Sequence, residues 1–466
     1  MISRHLVATS LALSLGASGA LVATSTVGTA VAASTPQCSP KALSSTKGPV
    51  TITYWQSMPR ANGEVMKQLT DQFNASQSKV HVNLVVQTTY EETFQKFKAG
   101  LSNGQLPDVA MLTDTDTQAA IDTQAFIPSQ TCMKAAGYKT GDLLSRALAY
   151  WRVNKTQWAM PFGVSGPVLY YNKKAFAQAG LNPDHGPATL AEMVKDAKIL
   201  KNKGVGGAAL VLDPWHFQTW LATSNHLFAG TNNGRTGRAT KVAFRNDAGL
   251  AIFAALNQMK SDGSVETNAV QGAGRYDNLL GAGSGKYSMT IDTSAALGTI
   301  QQLLATGQYP NVDVGVSPFP KLSAKSRGGV EPAGNALWIS KKSTSAKQAA
   351  AWQYIAYLDS TASQVTWSAG TGYIPLRTSA AKSSTIQDLW AKNPGFKVAY
   401  TQLTQGVQSY ATAGAVVGPF ADVNTAVANA ETSMFVKKTT PRTALAGAQS
   451  AADRVISKYD QRLGVR

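Results

Sequence analysis

The sequence predicts an α/β fold, since stretches with the apolar pattern of a strand alternate with stretches that have the pattern of a helix. Near the beginning of the chain the predicted strands are 50–55, 80–87 and 107–112, and the predicted helices between them are 64–74 and 91–101. The helices repeat their apolar residues every three or four positions, whereas the strands do not. This order of elements is typical of a parallel sheet that is covered by helices.

The alternation continues through the rest of the chain. The stretch 159–183 begins as a buried strand and continues as a short helix that Gly180 ends. The adjacent Tyr170 and Tyr171 of that strand point to opposite faces, so we expect one in a core and the other near a cleft. Further strands are predicted at 208–212, 286–291 and 312–316, further helices at 189–203, 248–262 and 345–359, and a largely helical C-terminal third.

The N-terminus has the features of a secretory signal peptide at 1–32. Arg4 supplies the positive start, residues 6–22 form an apolar run, and Ala30-Val31-Ala32 is a small-residue cleavage sequence. Residues 33–47 are rich in Ser, Thr, Lys and Pro and are predicted to be a flexible lead-in. No later stretch is long and apolar enough to span a bilayer, so we expect a secreted protein that acts outside the cytoplasmic membrane.

Cys38 and Cys132 are the two cysteines of the chain. A sparse, even pair in an exported protein suggests one disulfide bond, which here ties the mobile N-terminus to a distant loop. The alternative is lipid attachment at Cys38, but residues 34–37 are not the small, apolar run that a lipoprotein signal needs. We therefore predict a Cys38–Cys132 disulfide.

The chain is strongly basic, with a formal net charge of +17. Such a charge suggests nucleic-acid binding, but the Lys and Arg residues are scattered and form neither an arginine-rich run nor a basic helix. An exported basic protein also meets acidic wall polymers and anionic lipid head groups, and loose retention there explains the charge more simply. We predict no nucleic-acid partner. The five histidines show no metal-binding spacing, so no metal and no cofactor is predicted.

The predicted loops after the strands have a composition that suits a polyhydroxylated ligand. Ligands of open α/β sheets bind where these loops converge. Aromatic faces pack against the C–H surfaces of a sugar, while carboxylates and amides bind its hydroxyl groups. The loops are rich in Trp, Tyr, Ser, Thr, Asp and Gly, and they are 55–58, 88–92, 113–117, 163–166, 213–220, 292–295, 334–335 and 370–374.

Several motifs recur along the chain in a characteristic order. They are Trp55-Gln56-Ser57-Met58, Tyr90-Glu91, Pro107-Asp108, MPFGVSGPVLYYNKKAF at 160–176, AGLNP at 179–183, GNALWIS at 334–340, AAAWQYIAYL at 349–358 and TGYIPL at 371–376. Together they resemble the extracellular solute-binding proteins of carbohydrate-type ABC importers, which are the family 1 solute-binding proteins. Their order and spacing match from about Thr51 to the C-terminal helices, and the resemblance is strongest to the branch that binds glycerol 3-phosphate and glycerophosphodiesters.

The resemblance implies a two-lobed clamp of the periplasmic-binding-protein type II fold, in which each lobe is a mostly parallel sheet flanked by helices. The C-terminal region would be helical. Hinge closure would trap a solute between the lobes, and the closed monomer would deliver it to ABC permease subunits. Lobe one would hold 48–162 and 317–370, lobe two would hold 163–312 and 371–466, and the hinge crossings would lie near 162 and 314.

The resemblance also implies which residues contact the solute. They are Tyr90, Asp114, Ser165, Trp215, Trp220, Ser294, Gly334 and Tyr373. Asp114 is shorter by one methylene than the glutamate of the family. From residue types alone, the aromatic side chains could be half-buried core residues, Asp114 could cap the next helix, and the serines could satisfy only backbone groups. The motifs around them favour the ligand role.

The main departure from the glycerol-phosphate branch is Val416. That branch has an arginine in a G-L-R-L-G-like turn that engages phosphate, and the matching stretch here is Gly414-Ala415-Val416-Val417-Gly418. A phosphate dianion needs a charge-assisted partner, which valine does not offer. We therefore predict a neutral sugar, oligosaccharide or polyol. A phosphoester is the alternative if Arg377 or Lys286 supplies the missing charge.

A secreted glycosidase is the rival class of protein. Such an enzyme uses paired carboxylates, but Asp and Glu together number only 26 in this chain. No G-x-S-x-G motif or other nucleophile motif appears. A cleft dominated by tyrosine and tryptophan suits binding better than cleavage, so we predict a binding protein and no enzyme activity.

Overall fold

The computed structural model describes residues 36–58, 60–211, 214–268 and 286–465. The predicted signal peptide lies outside these residues, as does the beginning of the lead-in. No helix in the described ranges combines the length and the apolar character needed to cross a bilayer. Most strands belong to two mixed sheets, and helices pack around both.

The first sheet has the strand order β2-β1-β3-β13-β4, and β7 also pairs with β13. β1 is parallel to β2 and β3, as the sequence predicts. β13 is antiparallel to β3, β4 and β7, and no strand was predicted at this position. The sheet is therefore mixed. Its strands are β1 (Val50–Gln56), β2 (Val80–Val86), β3 (Val109–Thr113), β4 (Phe126–Ile127), β7 (Met160–Ser165) and β13 (Ala333–Ser340).

The second sheet has the strand order β10-β9-β11-β8-β12. β9 is parallel to β10 and β11, whereas β8 is antiparallel to β11 and β12. The strands are β8 (Pro167–Asn172), β9 (Ala208–Val211), β10 (Val265–Asn268), β11 (Met289–Thr293) and β12 (Val314–Pro318), and a separate small hairpin is formed by β5 (Arg152–Val153) and β6 (Thr156–Gln157).

The helices begin and end at residues that stabilise their termini. The side chain of Thr89 accepts a hydrogen bond from the Glu92 N–H at the start of α3, and Thr189 caps α8 in the same way. The helices are α1 (Pro40–Ser44), α2 (Arg60–Ser76), α3 (Tyr90–Asn103), α4 (Thr117–Asp122), α5 (Ser129–Ala135), α6 (Ser145–Ala149), α7 (Lys173–Ala179), α8 (Leu190–Asn202), α9 (Pro214–Thr223), α10 (Asp247–Ser261), α11 (Leu297–Ala305), α12 (Ser345–Leu358), α13 (Thr361–Thr371), α14 (Thr378–Ala381), α15 (Ser384–Lys392), α16 (Gly395–Gln405), α17 (Phe420–Lys437) and α18 (Pro441–Leu463).

Each sheet has its own hydrophobic core. Tyr170 is buried in the first core and Tyr171 in the second. The two side chains therefore point to opposite faces, as predicted, but neither is exposed to a cleft. The Tyr170 hydroxyl donates to the Thr293 carbonyl at 2.8 Å, which satisfies this buried polar group.

The chain passes from the first sheet to the second at Gly166, between β7 and β8, and it returns to the first sheet with β13. The division into two lobes with the boundaries given above stays a prediction. The predicted disulfide between Cys38 and Cys132 is present and links residues 94 positions apart. It attaches the segment before α1 to α5, beside the first core.

Candidate ligand-binding site

Four of the predicted ligand residues meet where β2, β3 and β13 present their ends. Tyr90 is the first residue of α3, directly after β2, and Asp114 follows β3. The Gly334 N–H donates to Asp114 Oδ2 at 3.2 Å. Tyr90 hydrogen-bonds with Tyr373, and both hydroxyl groups contact the Met58 sulfur, at 3.5 and 3.8 Å. We call Tyr90, Asp114, Gly334 and Tyr373 the Tyr90–Tyr373 site.

Two glycines allow this close approach. Gly334 has φ +121°, and a Cβ atom there would lie 2.0 Å from the Gly163 carbonyl oxygen. Gly372 has φ +114°, and its Cβ would lie 2.6 Å from the Ser294 carbonyl oxygen. Side chains are strained at such φ values and have no room here. The two glycines therefore hold the backbone of Tyr373 against the crossing between the sheets.

The aromatic wall of the site is well ordered by packing. Tyr373 stacks on Trp367, with ring centroids 5.1 Å apart and an angle of 15° between the planes. The Asn335 side chain donates to the Tyr90 hydroxyl at 3.3 Å. Burial raises the pKa of Tyr90, and its hydrogen bonds to Tyr373 and Asn335 only partly offset this. Tyr90 is therefore a neutral phenol that can donate to a ligand oxygen.

Ser165 and Ser294 lie at the crossing between the two sheets. Ser165 ends β7 and pairs with Ala333 of β13. The Ser294 N–H donates to the Gly166 carbonyl at 2.9 Å, and the Ser294 hydroxyl accepts from the Gly166 N–H at 3.5 Å. Both serines are buried. They lie beside the Tyr90–Tyr373 site through the β7–β13 pairing, and a bound ligand would compete with backbone groups for the Ser294 hydroxyl.

The two predicted tryptophans of α9 have different surroundings. Trp220 is 1% exposed in the second core, packs against Phe319, and donates its indole N–H to the Pro320 carbonyl at 3.0 Å. The structure therefore does not bring Trp220 to the other predicted residues. Trp215 lies in the first turn of α9 and is partly exposed. Its carbonyl accepts a hydrogen bond from the hydroxyl of Thr219. The same hydroxyl lies 2.8 Å from the carboxylate of Glu331.

Glu331 is a candidate site residue that the sequence reasoning missed. It is 1% exposed, and its Oε1 accepts hydrogen bonds from the Thr219 hydroxyl at 2.8 Å and from the Gln218 amide at 3.4 Å. The pKa of Glu331 is raised to about 7, mainly by burial and in smaller part by the negative charge of Asp114, while its hydrogen bonds act in the opposite direction. Glu331 is also the one acidic residue between Asp313 and Asp359, which was the available sequence signal.

Asp114 is the centre of negative charge at the site. Its charge raises the pKa of Tyr90, Tyr150 and Glu331, although burial is the larger cause for each. Helix α4 begins at Thr117 with no side-chain cap, whereas Asp114 accepts from the N–H groups of Thr115 and Gly334. Asp114 is therefore not the cap of the following helix, and its carboxylate suits a donor such as a ligand hydroxyl.

The stretch 414–418, where the related branch has its arginine, is buried and hydrogen-bonded to other parts of the chain. Val416 is 1% exposed, and its N–H donates to the Asn233 carbonyl at 2.9 Å. The Tyr150 hydroxyl donates to the Ala415 carbonyl at 2.7 Å. Both residues proposed as substitutes for the arginine form ion pairs in the structure. Arg377 pairs with Asp142 and Asp359, each at 3.3 Å, and Lys286 pairs with Glu266 at 3.1 Å.

The arrangement of two α/β units around a crossing, with tyrosines and a carboxylate gathered there, is that of a two-lobed binding protein. The model of the family described as bacterial extracellular solute-binding protein matches residues 68–398. The chain belongs to this family, which confirms the resemblance seen in the motifs and the prediction that the protein acts outside the cell.

Individual relatives agree with this assignment. The sn-glycerol-3-phosphate-binding periplasmic protein UgpB of Rhizobium meliloti (strain 1021) is 27% identical over 361 residues, which cover 76% of this chain and 81% of that protein. The structure of UgpB from Mycobacterium tuberculosis in complex with glycerophosphocholine superposes with a TM-score of 0.74, at 22% identity, over 88% of this chain and 99% of that one.

A further structural neighbour binds a carbohydrate-like ligand. The GacH receptor of Streptomyces glaucescens GLA.O, solved without ligand and with acarbose, has a TM-score of 0.71 at 20% identity, and covers 88% of this chain and 99% of its own. These likenesses confirm the predicted two-lobed α/β fold. The sheets are mixed, so the expected predominance of parallel strands is limited to parts of each sheet.

Proposed function

We propose that this protein captures a neutral sugar, oligosaccharide or polyol at the Tyr90–Tyr373 site and delivers it to the permease of an ABC importer. The observation that supports the ligand class is the electrostatic character of the site. The negative charge of Asp114 acts on the buried carboxyl of Glu331, Val416 stands where the motif resemblance expects the phosphate-binding arginine, and Arg377 and Lys286 form ion pairs. Hydroxyl groups satisfy carboxylates, whereas a phosphate dianion would be repelled by them.

A solute bound at the Tyr90–Tyr373 site can couple binding to closure because the predicted ligand residues come from both sides of the crossing. Tyr90, Asp114 and Gly334 belong to elements of the first sheet, whereas Ser294 follows β11 and Trp215 lies on α9, beside the second sheet. A solute that contacts both groups stabilises the closed form only if it binds that form more tightly than the open one. Ring faces provide this difference, since they are buried against the solute only on closure.

The runner-up is a phosphoester ligand of the same fold. Two relatives favour it, since the Rhizobium meliloti protein is named for binding sn-glycerol 3-phosphate and the Mycobacterium tuberculosis structure contains glycerophosphocholine. One cation beside the 414–418 stretch is Arg235, which donates to the Gly414 carbonyl at 3.1 Å. Its donors are taken by backbone carbonyls, so it is a weaker phosphate partner than a projecting arginine.

We further propose that the protein is a monomeric binder and not a hydrolase. A protein that delivers its ligand must leave it intact, and the Tyr90–Tyr373 site has aromatic rings and amides around Asp114. Incubation with di- and trisaccharides followed by chromatography tests this. Unchanged oligosaccharide is the expected result, and released monosaccharide would contradict the proposal.

A thermal-shift screen followed by titration calorimetry tests the ligand class. The panel holds sugars, oligosaccharides, polyols, glycerol 3-phosphate and glycerophosphocholine. We expect at least one neutral compound to raise the melting temperature, and we expect Asp114→Asn to weaken its binding by about tenfold, since the lost hydrogen bond is charge-assisted. Stabilisation by the phosphoesters alone would favour the runner-up and reject the neutral ligand.

A further inference from the structure

The structure contains a cavity whose lining residues differ from those of the Tyr90–Tyr373 site. It has a volume of about 710 Å³ and is formed by residues of 145–155, by 235–236 and by 408–413. None of the eight predicted ligand residues lines it. This volume is in the range of small-molecule sites in proteins. The first segment precedes β7 of the first sheet, whereas the other two lie in the later part of the chain, beyond the crossing at Gly166.

The wall of this cavity is positively charged. Arg146, Arg152, Lys155 and Arg235 are among its lining residues, and no aspartate or glutamate is. A concave surface with charges of one sign concentrates the electrostatic potential, because the surrounding protein has a low dielectric constant. The cavity therefore attracts anions.

Two of the four cations are fixed in the wall and have neutral partners. The Arg146 guanidinium donates to the carbonyls of Val330 and Val407, at 2.8 and 3.1 Å. The Arg235 guanidinium donates to the carbonyls of Ala149, Ala413 and Gly414, at 3.0, 2.6 and 3.1 Å. Both arginines are 7% exposed. Carbonyl oxygens satisfy the donors but do not cancel the charge, so each guanidinium remains a full positive charge with little water around it.

Burial disfavours the charged form of both arginines. Burial lowers the pKa of Arg235 to about 10, and Tyr150 offsets this only in part. Burial also lowers the pKa of Arg146, where Glu331 acts in the opposite direction. An anion in the cavity would stabilise both charged forms.

The other two cations stand at the exposed side of the cavity. Arg152 and Lys155 belong to the β5–β6 hairpin, and both side chains are exposed. In the described parts of the chain neither forms an ion pair. Their long side chains can therefore move to contact an anion that the fixed arginines hold, with little loss of existing interactions.

We propose that this cavity binds an oxyanion, such as inorganic phosphate or the phosphate or carboxylate group of a small organic acid. Arg146 and Arg235 provide the fixed positive wall, and Arg152 and Lys155 contact the anion from the solvent side. The inference goes beyond the proposed function, since it requires no solute in the Tyr90–Tyr373 site.

Titration with inorganic phosphate tests the cavity, at an ionic strength kept constant with sodium chloride. We expect saturable binding by the wild type and at least fivefold weaker binding by R152Q/K155Q. The control K382Q/K392Q removes two exposed lysines far along the chain, with the same change in net charge, and should bind as the wild type does. The proposal is overturned if the wild type binds phosphate no better than chloride, or if R152Q/K155Q and the control bind equally.

A second titration distinguishes two possible ligands of the cavity, which are a free anion and the acid group of a larger solute. Glycerol 3-phosphate is compared with inorganic phosphate in the wild type, in R152Q/K155Q and in Tyr373→Phe. Equal affinities for both anions support a site for a free oxyanion. If glycerol 3-phosphate binds more tightly than phosphate and Tyr373→Phe weakens its binding, the result supports a solute that spans the cavity and the Tyr90–Tyr373 site. Glycerol 3-phosphate binding that R152Q/K155Q leaves unchanged would argue against the cavity. Failure of the neutral-ligand screen would leave the phosphate result intact, so the two proposals fail separately.

Discussion

The guanidinium group of Arg238 binds the carboxylate of Asp122 through two parallel hydrogen bonds of 2.9 and 3.0 Å. Asp122 ends α4, which follows β3 of the first sheet, whereas Arg238 lies between α9 and α10. Arg238 also donates to Asp460 of α18 at 2.7 Å, and the Tyr459 hydroxyl donates to Asp122 at 2.9 Å. This cluster ties a first-sheet helix to the helices around the second core.

The cluster predicts that Asp122→Asn destabilises the fold. Burial lowers the pKa of Arg238, but its hydrogen bonds to Asp122 and Asp460 outweigh this and raise the pKa above its usual value. The pair is partly shielded, with side chains 21% and 10% exposed. We expect a loss of about 1–2 kcal/mol in the free energy of unfolding, measured with urea, because Arg238 loses a bidentate partner.

Lys67→Gln is the matched control for this substitution. It removes the Lys67–Asp71 pair, whose side chains are 63% and 60% exposed. Solvent screening leaves such a pair worth less than about 0.5 kcal/mol. If Asp122→Asn costs no more than this control, the cluster does not hold the two parts of the fold together.

The Tyr90–Tyr373 site predicts that the two tyrosine hydroxyls contribute to solute binding. Tyr90→Phe and Tyr373→Phe keep the rings, including the stacking of Tyr373 on Trp367. Each should weaken binding of the solute by about threefold to tenfold, which is the effect of one lost neutral hydrogen bond. Calorimetry with the compound that the screen identifies measures this.

Tyr357→Phe serves as the control for the tyrosine variants. Tyr357 packs against Phe73 at a centroid distance of 5.1 Å, on α12, and is not one of the predicted ligand residues. Its hydroxyl should not affect affinity. Wild-type affinity in both site variants would remove the Tyr90–Tyr373 site from the proposal.

The elements that the sequence predicts well are those with local signals. Helix α3 follows from its repeated apolar face, with Phe94 and Phe97 buried. β1 and β2 follow from their length and their apolar residues. Strand β13 was missed because its antiparallel partners lie far away in the chain, and no local pattern in Ala333–Ser340 distinguishes it from a buried loop.

The candidate site shows the same limit. Trp215 and Trp220 were predicted together, but five residues of helix turn the chain by about 500°, so the two side chains lie about 140° apart around α9. Trp220 lies in the second core, whereas Trp215 is partly exposed. Glu331 was missed because its meaning depends on Thr219 and Gln218, which lie more than a hundred positions earlier.

The disulfide predicts a large loss of stability on its removal. Cys38 and Cys132 are 94 positions apart in the sequence, so their disulfide closes a long loop of the chain. A cross-link of this length restricts the unfolded chain by about 4–5 kcal/mol in the chain-entropy description. Urea unfolding of C38A/C132A should show a decrease of this order, whereas Ser45→Ala, at an exposed position beside α1, should not. Equal stability of the double variant and the wild type would show that the disulfide does not constrain the unfolded state.

Because the pKa of Glu331 is raised in the folded protein, we expect the free energy of unfolding to decrease between about pH 4.5 and pH 7. Its carboxyl has a pKa of about 7 in the folded protein and an ordinary value of 4.5, so the unfolded chain loses this proton at lower pH than the folded one. Folding is therefore favoured below pH 4.5 and progressively less so up to pH 7, by about 3 kcal/mol in total.

Glu331→Gln isolates this effect from the pH dependence of the rest of the protein, while the charges that act on Glu331, which are those of Asp114 and Arg146, stay in place. The amide does not titrate, so the free energy of unfolding of the variant, relative to wild type, should rise by about 3 kcal/mol from pH 4.5 to pH 7.5. Asp114→Asn should move the transition of the wild-type carboxyl to lower pH, because it removes the charge that raises its pKa. Urea titrations at half-unit pH steps measure both changes. A difference between Glu331→Gln and wild type that stays constant with pH would contradict the raised pKa of Glu331 in the folded protein.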